Sequence, residues 1–319
     1  MTKSAFLLTA GFGTRFQPHT DFLPKPALPF FNLPQALYPA GLLKNIGVTD
    51  FFYNSHHLPK ELDEALNPFF KKNSLFEKDI LDSAGGIANA KAHLMNDDHF
   101  WAVNGDSFIT TLNDQVLLEA YDFHVKTNSI ATLIGIKKDD LSLNGLGSSS
   151  DNVLTHTAKG PDTLHFVGIY LFSKEIFNFI RPEKSHILKD VLLKNFQEKV
   201  SVFNAHSELI WFETGNEKDF IECHRQEAKN ILAEKENSTV YKTFETWGLS
   251  PEKQLEQFLK NNIWGKESSN PHKSDFLILP ENLSDDSGQF KNCVIINDLS
   301  IPKDQSFENR VLIDPSQWA

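Results

Sequence analysis

Residues 5–30 read AFLLTAGFGTRFQPHTDFLPKPALPF, and their interpretation decides the fold. The apolar run Ala5–Leu8 has the character of a buried strand and feeds directly into a turn carrying Gly11 and Gly13. Arg15 follows at once. Lys25 stands between Pro24 and Pro26, on backbone expected to be extended because a residue before proline avoids the helical region. Strand, glycine turn, then cation is how a phosphate is cradled, since glycine lets backbone N–H groups approach an anion closely. Two common versions fail. GFGTRF places Phe16 where a dinucleotide fingerprint needs its third glycine, and the Walker pattern is absent. What remains is a guanidinium and an ammonium converging on one turn, which makes a site for a polyphosphate.

The 319-residue chain is 40% hydrophobic and 23% charged, as expected of one large globular domain with a smaller addition. Its 31 basic and 42 acidic residues give a formal net charge of −11, which argues against a nucleic-acid surface but permits one small phosphorylated ligand. Cys223 and Cys293 form neither a metal-ligand spacing nor a disulfide framework, pointing to a reducing compartment. The first apolar run is too short for a signal peptide, and no stretch approaches the about 18 apolar residues of a membrane span. A cytoplasmic protein with no membrane partner is expected.

Six short apolar runs read as buried strands: AFLLTA, VTDFFYNS, HFWAVNGD, SIATLIGI, LHFVGIYLF and KVSVFNA. Helical patterns such as PKELDEALNPFFKK and LNDQVLLEAYDFHVKT alternate with them. The expected fold is α/β, a doubly wound and mostly parallel Rossmann-like sheet with ligands at the carboxyl ends of its strands. That domain spans 1–237, ending in the long helix GNEKDFIECHRQEAKNILAEK. A helical linker over 238–274 starts a helix at Ser250 and Pro251. In the last segment, 275–319, FKNCVIIND and FENRVLIDP repeat F-x-N-x-V-aliphatic-I seventeen residues apart. Rungs of a short parallel β-helix are favoured there over a two-stranded meander.

The opening stretch, from LLTAG onward, resembles the signature L-x-A-G-x-G-T-R-x-x-P-x-T-x-x-x-P-K-P of the sugar-1-phosphate nucleotidyltransferases, with Thr9 and Phe16 as the departures. The likeness extends over roughly residues 4–230 through GVTDFFYNSHHLPKEL, ILDSAGGIANA, FWAVNGDSFI, FVGIYLFSKEIF and WFETGNEKDF. It implies that Thr9, Ala10, Gly11, Gly13, Thr14 and Arg15 hold the nucleotide together with Asn104, and that Gly85 and Gly86 approach its base. It further implies that Gly168 leaves room for the sugar ring, that Arg15, Lys25 and Asp106 are catalytic, and that Asp106 and Glu213 bind Mg2+.

The reaction so implied is attack of a sugar-1-phosphate oxygen on the α-phosphorus of a nucleoside triphosphate, giving an NDP-sugar and pyrophosphate. Such transfers ask mainly for positioning and charge neutralisation. Glu213 stands where aspartate is usual, longer by about 1.5 Å, and Asn216 where threonine is usual. These changes keep open a nucleotide-binding subunit without catalysis. A phosphocholine-type acceptor would need an aromatic cage, for which Trp101 and Trp211 are available. His56 and His57 read as packing or a device for starting a helix. GTP with mannose-1-phosphate or a heptose phosphate follows from a likeness of the tail to mannose-1-phosphate guanylyltransferases; GGIANA, like N-acetylmuramate-1-phosphate uridylyltransferases, keeps UTP open. Exposed β-helix ends would favour a homo-oligomer.

Overall fold

The structure, a computed structural model, describes residues 2–31, 33–111, 113–137, 144–195, 197–206, 208–212 and 214–255, and beyond them the short strands 263–267, 274–278, 290–291, 293–295, 307–308 and 311–312. The central sheet contains β1 (Ser4–Leu8), β2 (Asp50–Ser55), β3 (Ser74–Phe76), β4 (His99–Asn104), β5 (Ala131–Ile136), β6 (His165–Ser173) and β7 (Val200–Asn204). Their order is β7-β5-β6-β4-β1-β2-β3. Neighbours are parallel except at β6, which runs antiparallel to both β4 and β5. The doubly wound sheet is thus mostly parallel with one reversed strand. That reversal has no sequence signal, because a strand buried on both faces is a continuous apolar run in either direction.

The longer helices among the described residues flank the sheet: α1 (Leu37–Asn45), α2 (Pro59–Phe70), α3 (Asp82–Asn89), α4 (Gln115–Thr127), α5 (Glu217–Glu234) and α6 (Thr239–Thr246). Ala5 and Leu7 of β1 enter one core and Phe6 the other, the two-residue period of a strand. Leu62, Leu66 and Phe70, spaced by one helical turn, bury α2 in the first core. Trp101 is fully buried there, so it is not available to a ligand cage.

The chain order creates the site. From β1 the chain winds outward to β2 and β3, then returns to place β4 on the opposite side of β1. A crevice opens at such a switch point, outside the carboxyl ends of the two central strands. Leu8 pairs with Asn104, and the Gly105 N–H donates to the Leu8 carbonyl at 3.0 Å, so both loops emerge side by side.

Beyond α6, residues 251–255 are helical, as the Ser250–Pro251 start predicts, and 256–262 lie outside the described residues; the expected helical linker over 238–274 is corrected at Ile263–Glu267, a strand that pairs antiparallel with Ser274–Ile278. Strands 274–278, 293–295 and 311–312 pair in parallel succession, with Leu277 opposite Cys293 and Val294 opposite Val311. Phe290 likewise stands opposite Phe307, so the seventeen-residue repeat stacks like on like. The Val311 N–H donates to the Glu217 carboxylate at the start of α5.

Two histidines are buried as neutral bases. His224 on α5 lies against Phe30, Phe31 and Phe220, and burial lowers its pKa to about 3. His124 on α4, with Nδ1 at 2.8 Å from the Thr132 hydroxyl, is also lowered by burial to about 3. An unfolded chain takes up these protons near pH 6.5, which the folded state does not do until about pH 3. Stability is therefore lost as pH falls through that window, by up to about 1.4 kcal/mol per pH unit for each histidine. His224→Phe keeps the ring packing and removes one titration. Acid unfolding followed by circular dichroism is expected to shift to lower pH in this variant; an unchanged acid limb would contradict the assignment.

Candidate active site

The loop after β1 is anchored from β2. The Thr9 and Ala10 N–H groups both donate to Asn54 Oδ1, at 2.7 and 3.3 Å, and the Thr9 hydroxyl donates to the Asn54 carbonyl. Asn54 Nδ2 in turn donates to Glu77 Oε1 at 2.7 Å, while Glu77 Oε2 accepts from the Leu81 N–H at 2.9 Å. Burial pushes the Glu77 carboxyl pKa up against the effect of these hydrogen bonds. Thr9 and Ala10 thus spend their backbone donors on holding the loop in place.

Gly11 is different. A Cβ there would meet nothing within 4 Å, so this residue faces open space in the cleft wall. Gly13 has φ +61, and a Cβ would stand 2.9 Å from the Thr20 methyl group and 3.3 Å from Lys25 Cβ. Glycine is required there by the turn and by its neighbours. The single turn Thr14–Phe16 follows, with Phe16 buried against Phe220 and His19 while Thr14 and Arg15 remain exposed.

Lys25 is held differently from the sequence expectation. It opens a 3₁₀ turn, Lys25–Ala27, instead of continuing an extended segment. The turn loses nothing at Pro26, because its first N–H groups have no intraturn partner to make. Lys25 is only 5% exposed, and its ammonium lies 2.9 Å from Asp106 Oδ2 and 3.3 Å from the Asp106 carbonyl oxygen. Gln35 Nε2 and the Thr214 hydroxyl also donate to that carbonyl, each at 3.0 Å.

These segments meet because an antiparallel ribbon, Phe108–Thr111 against Leu209–Phe212, pairs Phe108 with Phe212. Asp106 and Thr214 lie two residues beyond the same end of it. Glu213 lies outside the described residues. Asn216, where threonine was expected, caps α5: its Oδ1 accepts from the Asp219 N–H at 3.0 Å.

Two cavities adjoin at Asp106. The larger, about 680 Å³, is lined by Thr9–Gly13, Lys25, Asn104 and Asp106. Ile80, Asp82, Ser83, Tyr170, Lys184 and His186 also line it. The smaller, about 190 Å³, shares Lys25, Asn104 and Asp106 and is bounded by Arg15, His165, Gly168 and Trp211. Gly168 has φ +88, and a Cβ would come within 2.9 Å of Asn104 Nδ2 and 3.0 Å of Ser107 Oγ. The glycine accommodates the register shift of β6 between Phe166 and Tyr170.

Gly85 and Gly86, expected to approach a base, lie on the helix that follows β3. Both are buried in α3. A Cβ on Gly85 would collide with the Glu183 carbonyl, and one on Gly86 would lie 2.8 Å from Asn54 Nδ2. Residues 183–187 cross here, with the Ser185 N–H donating to the Leu81 carbonyl and the Ala84 N–H to the Ser185 carbonyl. That crossing brings Lys184 and His186 to the cleft, a hundred residues from α3 in sequence and without a motif to announce them. His56 and His57 are structural ties, to the Glu77 and Thr20 carbonyls at 2.9 and 2.6 Å.

A divalent cation fits Asp106. Its side chain is 40% exposed, faces both cavities and commits only Oδ2 to Lys25. Among the described residues no group of three or more ligating side chains exists. Magnesium needs no such group, since it takes one or two carboxylates and completes its shell with phosphate oxygens and water.

The chain belongs to the nucleotidyl transferase family, whose pattern matches residues 4–230. It is 27% identical over 230 residues to a mannose-1-phosphate guanyltransferase from Saccharomyces cerevisiae, covering 67% of this chain and 62% of the yeast protein. A mannose-1-phosphate guanyltransferase from Schizosaccharomyces pombe is 28% identical over 235 residues, covering 68% and 62%. The chain thus spans about three fifths of the length of these relatives. Its fold is that of HddC from Yersinia pseudotuberculosis, with a TM-score of 0.58 at 19% identity over 70% of this chain and 99% of that one. It is also that of an apo UDP-glucose pyrophosphorylase, with a TM-score of 0.59 at 16% identity over 72% and 99%.

Asn54→Ala removes the acceptor for two loop N–H groups and the donor to buried Glu77. Its expected cost is about 1–3 kcal/mol, read by urea denaturation. Stability equal to wild type would show that Asn54 does not anchor the loop.

Proposed function

We propose that this chain is a sugar-1-phosphate nucleotidyltransferase, joining a nucleoside triphosphate to a sugar-1-phosphate with release of pyrophosphate. The observation that carries this reading is the pair of cavities meeting at Lys25 and Asp106. One, about 680 Å³, is large enough for a nucleotide and is lined by the glycine loop; the other is small, partly aromatic and flanked by Arg15. An acceptor phosphate in the smaller cavity attacks the α-phosphorus. Its oxygen forms the new P–O bond as the bond to pyrophosphate breaks.

Arg15 and Lys25 bind the phosphates and offset their mutual repulsion. The open face at Gly11 allows backbone approach, Gly13, Thr14 and Asn104 complete the nucleotide contacts, and Thr9 and Ala10 hold the loop that makes them. Asp106, with Glu213 as a second carboxylate, would hold Mg2+, which supplies charge neutralisation when bound. Gly168 and Trp211 form the wall against which the sugar lies.

GTP is the favoured donor and mannose-1-phosphate or a related hexose or heptose phosphate the favoured acceptor. The names of the curated relatives support this, as does the structure of HddC from Yersinia pseudotuberculosis complexed with GMP-PN. UTP is the competing base. The stacked tail strands support a short β-helix-like appendage over 275–319 behind the linker 238–274, with possible self-association through its ends. A cytoplasmic supply of NDP-sugar for cell-envelope polysaccharide suits this chemistry. A second acceptor, phosphocholine, is favoured by one feature: His165 and Trp211, with ring centroids 4.2 Å apart, border the smaller cavity. Against the binding-subunit alternative, Asn216, one of the two changes that kept it open, caps α5.

The test is pyrophosphate release with Mg2+, using four nucleoside triphosphates against sugar-1-phosphates and phosphocholine. Release is expected from GTP with a hexose-1-phosphate, lowered about 100-fold or more by Asp106→Asn. Release only with phosphocholine would replace the acceptor. Nucleotide binding without release from any pair would overturn the enzymatic reading.

A further inference from the structure

We propose that Gln35 is a positioning residue that locks the Lys25–Asp106 pair to the wall of the smaller cavity; this rests on the nucleotidyltransferase reading. Gln35 is completely buried. Its N–H donates to the Leu28 carbonyl and the Ala36 N–H to the Pro26 carbonyl, each at 3.0 Å, so its backbone is stitched to the turn that carries Lys25. Its side-chain amide reaches across to the other half of the site. Nε2 donates to the Asp106 carbonyl at 3.0 Å and to Thr214 Oγ1 at 2.6 Å, and Thr214 Oγ1 donates to that same carbonyl. With Lys25 Nζ, three donors from three segments converge on one oxygen.

The other end of the amide has a telling environment. Gln35 Oε1 is buried and has no hydrogen-bond partner among the described residues. Turning the amide over gives no relief, because Oε1 would then face the Asp106 carbonyl, acceptor against acceptor. An unsatisfied buried acceptor opposes folding, and an apolar side chain of the same length avoids that cost. Packing alone therefore does not account for glutamine at this position. The triangle of Gln35, Asp106 and Thr214 does. It ties the carboxylate offered to a cation to the segment bearing Trp211, and so fixes the two cavities relative to each other. In-line attack depends on that relation, where displacements on the order of 1 Å cost large factors in rate.

Gln35→Met and Gln35→Glu separate this role from a structural one. Gln35→Met is expected to keep or raise the melting temperature and to bind GTP as wild type by calorimetry. Its kcat should fall about tenfold or more at saturating substrates. Gln35→Glu keeps the length of the side chain but replaces the amide donor with an acceptor against the Asp106 carbonyl, and its kcat should fall at least as far as that of Gln35→Met.

A Gln35→Met protein with wild-type kcat, or one that loses stability while keeping activity, overturns the proposal. So does a Gln35→Glu protein with wild-type kcat. Absence of turnover by wild type itself with every substrate pair would instead overturn the nucleotidyltransferase reading, and with it this inference.

Discussion

The ion pair between Lys25 and Asp106 lies at the switch point of the sheet, and the site is arranged around it. An ammonium 5% exposed cannot stand there without its carboxylate, since removing one partner leaves a buried charge uncompensated. The pair needs β1 and β4 as neighbours, because the loops bearing Lys25 and Asp106 leave the carboxyl ends of those strands. It also needs the Phe108–Thr111 ribbon, which brings Thr214 back to the Asp106 carbonyl. Both cavities share the two charged groups, so a phosphate in either feels the same cation. Charge placement here is set by topology before any ligand arrives.

The glycine turn and its cations were legible in residues 5–30 because each has a short-range physical signature. Gly13 must adopt a positive φ, Gly11 must leave space, and the run Ala5–Leu8 must be a strand. The alternation of apolar runs and helical patterns likewise gave the sheet, except for two features. The reversal of β6 carries no compositional mark, and β3 is a three-residue edge strand ending in an exposed Phe76.

Other parts of the site were illegible for a common reason: they depend on contacts between distant segments. Asn54 looks like any strand-end asparagine until β2 pairs with β1 and aims it at the Thr9 and Ala10 N–H groups. Lys184 and His186 reach the cleft only because residues 183–187 pair with the start of α3. Gly85 and Gly86 were recognisable as required glycines, and the crowding of the Glu183 carbonyl and the Asn54 side chain against them appears only in the fold. In the tail, the seventeen-residue repeat is legible as a pattern, and Phe290 pairs with Phe307 and Val294 with Val311.

The central claim is that Asp106 stands between two substrates and offers its carboxylate to the cation they share. A crystal of the full chain grown with GTP and Mn2+ tests this most directly, because manganese can be located by its anomalous scattering. The account predicts a manganese peak at coordination distance from the Asp106 carboxylate, with the triphosphate against Gly11–Gly13 and Lys25. Nucleotide bound in the cleft with manganese remote from Asp106, or a triphosphate lying away from the glycine loop, would contradict it.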